Sequence, residues 1–354
     1  MIGRESVIEH AANGSGPSEV TVEHGVVIMA TGAEERSTNA YLYGQEGRVV
    51  TQRELEESLV DGSIALPSDR PGTVVMVQCV ESRTPEHPYC SRVCCSQALK
   101  NAIALKERDP ETNVYVLYRD IRSYGMREKH YQKARDLGVV FLRYDLEPDA
   151  EGRGGLPVVE NQSGALAVQA YDFSSGGTVQ LEADLLALSV GIAPRSDAET
   201  MAMMLKLPLN AEQFFLEAHM KLRPVEFATE GVYLAGMAHA PKFMEESIAQ
   251  AHAAVARACT VLSQEQLMAP GSVAHVDPLC CVACGDCAQV CPYGAISIVN
   301  TQVGRRAWKD AAEVNPAVCK ACGACTAACR SGCITLEGFD DLEIYSQIAA
   351  VVAS

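Results

Sequence analysis

Cysteine is the residue type through which this chain can do chemistry. Of 15 cysteines, four lie between positions 79 and 95, ten lie between 280 and 333, and only Cys259 stands apart. Thiols used merely as small core hydrophobes would not cluster in this way. The stretch "CVACGDCAQVCP" sets Cys281, Cys284, Cys287 and Cys291 at the spacing C-x2-C-x2-C-x3-C-P, and "CKACGACTAACR" repeats it 38 residues on with Cys319, Cys322, Cys325 and Cys329. Ile296 and Ile334 correspond under the same offset, within the strand-like segments "AISIV" and "CITLE", so one unit is used twice. Three thiolates from one tight loop can meet three irons of a cubane, whereas the fourth iron points away and needs a ligand from elsewhere. Zinc also accepts four thiolates, but its sites usually combine two C-x2-C pairs rather than two four-cysteine runs.

Over about 60 residues this duplication resembles the bacterial two-cluster ferredoxins. In those proteins the fourth cysteine of each motif serves the other cluster. The resemblance implies one 4Fe-4S cluster on Cys281, Cys284, Cys287 and Cys329, and a second on Cys319, Cys322, Cys325 and Cys291. Two features depart from the pattern. Arg330 occupies the place of the second proline, either raising the potential of the cluster on Cys329 or pointing into solvent. Cys280 and Cys333 are surplus to both ligand sets, and are read as unligated thiols rather than alternative ligands.

The other cysteine group is "QCVESRTPEHPYCSRVCC", between the strand-like "PGTVVMV" and the helix-like "SQALKNAIALKER". A strand, loop and helix in that order usually hold a dinucleotide, with glycines letting the backbone approach a pyrophosphate. Here the loop carries Cys79, Cys90, Cys94 and Cys95 instead. These thiols can gather where a helix begins, and its free amides and dipole would stabilise an anionic cluster there. Buried hydrophobic thiols or a redox disulfide are the alternatives.

The elements around this loop alternate. "GTVVMVQ", "NVYVLYR", "VVFLRY" and "DLLALSVG" read as short buried strands, and "QALKNAIALKER" and "REKHYQKARDLG" as helices, the rhythm of a doubly wound parallel sheet. On either side lie "VTVEHGVVIMATG" and "EGVYLAGMAHAPKFMEESIAQAHAAVARA". A strand ending in Ala-Thr-Gly and another ending in Ala-Gly before a helix resemble the FAD-binding domain of the thioredoxin reductase superfamily. That resemblance implies a flavin near Thr31, Gly32, Gly236, Met237 and Lys242, with His239 close by and a helix from about Phe243 to Leu262 directing its positive end at the isoalloxazine. Met237 stands where that family has an acidic residue, and "GSGPSE" from Gly14 does not complete the G-x-G-x-x-G fingerprint. An ordinary strand-to-turn transition is the plainer reading of both glycine turns.

The run Cys79, Val80, Ser82 and Arg83, followed by Tyr89 to Cys95, resembles the A-subunit family of the heterodisulfide reductases, as do "YRDIRSYG", "GQEGRVVTQRELE" and "APKFMEESIAQAHAA". The likeness runs from about residue 20 to 338. It implies an α/β fold of thioredoxin-reductase type with a partial FAD domain and an inserted doubly wound NAD-domain-like unit, followed by a small α+β ferredoxin domain. The expected boundaries are 1–36 for the FAD-domain remnant, 37–190 for the insertion, 191–263 for the second part of the FAD domain, 264–275 for a linker, 276–338 for the ferredoxin domain and 339–354 for a tail. The implied cofactors are three 4Fe-4S clusters and an FAD shared with a partner chain. The implied setting is an anaerobe's hetero-oligomer with B and C subunits, a chain supplying the missing FAD half-domain, and a ferredoxin, hydrogenase or dehydrogenase as electron donor. Electron bifurcation or confurcation at the flavin is part of that expectation. A self-contained pyridine-nucleotide-dependent flavoprotein reductase is the alternative, but it needs a glycine-rich nucleotide loop; a structural adaptor with clusters as staples is the third.

The bounds agree. Lys and Arg number 29 against 45 Asp and Glu, a net charge of -16, so no basic stripe offers a nucleic acid footprint. No stretch approaches the roughly 20 apolar residues of a membrane span, and "MIGRESVIEHAANGSG" has no apolar leader core. A cytoplasmic protein is expected. The eight histidines are scattered, and the apolar tail "LEIYSQIAAVVAS" suits a short docking helix or a frayed end.

Overall fold

The computed structural model describes residues 4–10, 18–162, 165–266, 272–303, 307–316 and 318–353. The glycines of "GSGPSE" and residues 267–271 of the expected linker lie outside them. The chain begins with an antiparallel hairpin, β1 (Arg4–His10) and β2 (Ser18–His24), followed by the short strands β3 (Val27–Met29) and β4 (Ala33–Glu35).

A sheet then forms from β5 (Val49–Thr51), α1 (Gln52–Asp61), β6 (Thr73–Val77), α2 (Cys94–Arg108), β7 (Asn113–Tyr118), α3 (Glu128–Asp136) and β8 (Val140–Arg143). Next come β9 (Val158–Gln162), β10 (Ala165–Asp172) and β11 (Gly177–Ala183), and β12 (Leu185–Leu188) completes the sheet. Its order is β5-β12-β6-β7-β8, all parallel. Successive side chains of a strand face opposite sides. Val74 and Met76 of β6 accordingly pack on Leu55, Leu99 and Ala102 of the helices, while Val75 and Val77 pack on Leu166, Val168 and Leu181. Helices cover one face only. The other is covered by the antiparallel meander β9–β11, where a doubly wound sheet would carry further helices. Leu166, Val168 and Ala170 of β10 and Leu181 and Ala183 of β11 face the sheet, and in β11 they share the strand with the exposed Thr178, Gln180 and Glu182 on its opposite face.

After β13 (Ile192–Pro194), which pairs antiparallel with β4, the chain forms α4 (Ala198–Leu205), β14 (Val232–Leu234) and α5 (Met244–Leu262). β14 lies parallel to β3 in a two-stranded sheet. The remaining elements are β15 (Ala274–Val276), α6 (Asp286–Val290), β16 (Ile296–Val303), β17 (Ala307–Val314), α7 (Ala324–Ala328), β18 (Ile334–Leu336) and α8 (Asp341–Ala353). The duplication is visible in the backbone. Asp277 N–H donates to Cys333 O at 2.9 Å, and Asn315 N–H, 38 positions later, donates to Ala295 O at 2.8 Å. Among the described residues no helix is long and apolar enough to cross a membrane.

Candidate functional site

The two ferredoxin-like motifs wrap two small cavities. One is lined by Cys281, Cys284, Cys287 and Cys329, together with Ile298, Ala312 and Ile334. Its twin is lined by Cys319, Cys322, Cys325 and Cys291, together with Ala274, Tyr293 and Ile296. Each motif thus contributes three cysteines to one cavity and its fourth to the other. The local backbone explains how: Ala283 and Ala321 take left-handed φ of 55° and 51°, so their N–H groups turn back to donate to Cys281 Sγ and Cys319 Sγ at 3.5 Å. Ala312 and Ala295 donate to Cys281 Sγ at 3.4 Å and Cys291 Sγ at 3.3 Å. Amides directed at sulfur favour thiolate over thiol and so suit an anionic iron-sulfur cluster. Among the described residues no group of three His, Cys, Asp or Glu side chains is arranged to hold a single metal ion.

The central cysteines share that construction. Cys79 follows β6 at a left-handed φ of 57°, and Cys94 and Cys95 open α2. Arg92, at φ 63°, donates its N–H to Cys90 Sγ at 3.3 Å, the same turn that Ala283 and Ala321 make in the ferredoxin motifs. The Cys94 thiol is pushed up by burial and then by Cys95, Cys79 and Cys90, so the four sulfurs are electrostatic neighbours. Burial pushes Cys95 up to about 11, and raises Cys79 against the pull of Arg83. Burial opposes ionisation of the Cys79, Cys94 and Cys95 thiols, a penalty that a metal centre replacing their protons would offset. Gly191 permits the loop to close: a side chain there would lie 2.7 Å from Ser82 Oγ and 2.9 Å from Ser91 Oγ, and its φ is +85°. Sequence reasoning passed over Gly191, whose signal was its place at the end of "DLLALSVG".

The two glycine turns stand side by side. Tyr233 of β14 is in register with Ile28 of β3, and Ala235 N–H donates to Met29 O at 2.9 Å. Gly32 and Gly236 have φ of +80° and +72°, with nothing within 4 Å of where a side chain would start. Thr31 is exposed, Met237 half-buried and Lys242 buried. Lys242 Nζ donates to Gln250 Oε1 at 2.8 Å, lies 3.0 Å from His239 Nδ1, and is pushed down to about 8 by burial. Gln250 Oε1 also accepts the Gly236 N–H at 2.9 Å, and Glu217 holds His239 Nε2 at 2.8 Å. Burial, then Lys242, keeps His239 below its usual range. Open left-handed glycines beside a buried amine suit the isoalloxazine end of a flavin, whose reduced form is anionic. Gln250 and Glu217 were not singled out in the sequence. Arg92 ties this region to the central cysteines, donating to Pro241 O at 3.3 Å and pairing with Glu246.

Two surplus features have definite places. Cys280 and Cys333 are joined as a disulfide, with Cα atoms 5.7 Å apart, so they are not the unligated thiols the sequence suggested. Arg330 is 89% exposed and reaches Asp286 at 3.5 Å, so its charge is spent in solvent rather than on Cys329.

Comparison with known proteins places these features. Residues 279–334 match the family model of a 4Fe-4S dicluster domain. The chain is 37% identical over 298 residues to the second iron-sulfur A subunit of the CoB--CoM heterodisulfide reductase of Methanopyrus kandleri, covering 80% of this chain and 44% of that protein. It is 37% identical over 296 residues to the A subunit of the H(2):CoB-CoM heterodisulfide,ferredoxin reductase of Methanothermobacter marburgensis, with the same coverage. Among solved structures it is similar to the thioredoxin reductases of T. acidophilum (16% identity, TM-score 0.43, 73% of this chain and 72% of that one) and Lactococcus lactis (14%, 0.44, 74% and 75%). The chain spans less than half the length of these curated relatives. Over four fifths of its own length, the chain is similar in sequence to heterodisulfide reductase A subunits.

Proposed function

We propose that the chain is an electron-transfer component of a heterodisulfide-reductase-like complex, carrying electrons between a flavin and three 4Fe-4S clusters. The observation that carries this reading is the pair of cavities, each lined by three cysteines of one motif and the fourth of the other. Bound there, the clusters would supply one-electron carriage. The chain's own residues do the holding: Cys281, Cys284, Cys287 and Cys329 for one cluster, Cys319, Cys322, Cys325 and Cys291 for the second, and Cys79, Cys90, Cys94 and Cys95 for the third. Thr31, Gly32, Gly236, Met237 and Lys242 would line the flavin end, and Arg92 keeps the central loop against it. The FAD site is completed by residues other than those described, from this chain or a partner. The expected partners are B- and C-like subunits with a ferredoxin, hydrogenase or dehydrogenase, and electron pairs are split or merged at the flavin. The names of the relatives, which couple a heterodisulfide with ferredoxin or hydrogen, favour that setting.

Iron analysis under anaerobic conditions tests the cluster count. The expected result is about twelve irons per chain, three cubanes. A count of about eight would remove the central cluster and leave a ferredoxin unit on a flavoprotein scaffold.

A further inference from the structure

The duplication of the ferredoxin unit provides its own control for the Cys280–Cys333 bridge. Advancing Cys280 by the 38-residue offset reaches Val318, and stepping Cys333 back by it reaches Ala295. Both halves keep the same backbone at these places. Cys281 N–H donates to Asp277 O at 3.2 Å as Cys319 N–H does to Asn315 O at 3.0 Å, and Cys333 N–H donates to Cys329 Sγ as Ala295 N–H does to Cys291 Sγ, both at 3.3 Å. The fold therefore does not need a bridge here, because the second half is built with an apolar pair instead. What the bridge adds is specific to the Cys281, Cys284, Cys287 and Cys329 cavity. Cys280 is the residue before one lining cysteine, and the Cys333 amide bonds directly to another. Cys280 is exposed and Cys333 is 4% exposed, an arrangement of one accessible sulfur and one sheltered sulfur.

We propose that Cys280 and Cys333 form a redox-active dithiol–disulfide site adjoining that cavity, converting one-electron delivery into thiol chemistry. Opening the S–S bond consumes two electrons and two protons and leaves two thiols. The electrons are supplied one at a time by a low-potential one-electron donor. The reduced pair then exchanges with an external disulfide: the Cys280 thiolate attacks it, one external thiol leaves, and Cys333 displaces the second as the bridge re-forms. One external disulfide becomes two thiols, and the chain's pair returns to its starting state. The accessible Cys280 is the attacking sulfur. This inference rests on the proposed cluster at the adjoining cavity.

The test compares the intact chain, in whatever complex it is purified, with the variant Cys280→Val/Cys333→Ala, which installs the residues its other half already carries. Reduced methyl viologen serves as the one-electron donor, followed by alkylation, peptide mass mapping and a parallel iron count. The wild type should consume about two electrons per chain more than the variant. Cys280 and Cys333 should be alkylated only after reduction, with equal iron in both proteins. With Cys333→Ala alone, Cys280 should trap added glutathione disulfide as a mixed disulfide. Equal electron uptake, or a bridge that stays closed under reduction, would overturn the proposal in favour of a structural staple. Iron lost from the variant would make the pair cluster ligands. Wild-type iron of about four per chain would instead refute the underlying cluster assignment.

Discussion

At the scale of single residues, the central thiols and Lys242 make separable predictions. Cys94 and Cys95 stand where α2 begins, and Cys95 Sγ also reaches Asp120 O at 3.7 Å. Serine keeps the volume of cysteine but does not replace thiolate as an iron ligand. The variant Cys94→Ser/Cys95→Ser should therefore lose about four irons per chain and keep the ferredoxin pair, read by anaerobic iron analysis and the remaining EPR signals. Loss of all iron would mean that the substitutions merely unfold the chain. Lys242 tests the flavin turn through pH. Its amine titrates near 8 because burial penalises the cation, whereas an unfolded lysine holds its proton to about 10.4. Between those values the unfolded chain binds more protons, so stability rises with pH; below about 8 both states are protonated and the whole penalty is present. In flavin-free protein, Lys242→Met should remove that rise, narrowing the Tm gain from pH 7.5 to 9.5 by about 2 °C. An unchanged pH profile would assign the titration elsewhere.

At the scale of elements, the left-handed residue after each lead cysteine decides whether sulfur meets an amide. Arg92 needs φ 63° for its N–H to reach Cys90 Sγ, a conformation glycine adopts freely and a β-branched residue resists by about 1–2 kcal/mol. Arg92→Gly should keep the central iron while losing the contacts to Pro241 and Glu246, whereas Arg92→Val should lower central iron occupancy; equal iron in the two would show that the turn does not govern assembly. This turn was not legible in the sequence, because arginine carries no propensity for it and only the fold around Gly191 imposes it. Helix α5 was legible almost to the residue, expected from about Phe243 and observed from Met244 to Leu262. The meander β9–β11 was missed as the second cover of the parallel sheet, since its partner face is set by packing against β6, β7 and β12 and not by its own period. The Cys280–Cys333 pairing was hidden for the same reason: it spans 53 residues and follows from the pseudo-twofold arrangement of the two halves.

At the scale of the whole molecule, the proposed function would pass electrons between three regions, and the contacts say how those regions are held. Arg92 joins the central loop to the start of α5, while Lys206 donates to Cys291 O at 3.2 Å and Lys320 pairs with Glu230, holding the ferredoxin unit on the body. The cavity that faces the body through these two lysines is the one lined by Cys319, Cys322, Cys325 and Cys291. The proposed flavin site is the incomplete part. Among the described residues its turns sit on two parallel strands, β3 and β14, and the adenosine end of an FAD needs a further strand, glycine loop and helix. Ile28 of β3 is 38% exposed, and α5 carries Met244, Ile248, Val255 and Leu262 at 50% exposure or more, an apolar face beside an open strand edge. A strand and helix laid there would complete the sheet and cover the stripe together. We therefore expect residues 1–354 alone to bind FAD weakly, and to bind it stoichiometrically once a polypeptide carrying G-x-G-x-x-G is supplied, with aggregation falling in the same step. Equilibrium dialysis and size-exclusion chromatography read the two effects separately. Tight FAD binding by a well-behaved monomer would mean that the turns at Gly32 and Gly236 hold the whole cofactor, and that the apolar face of α5 serves another contact.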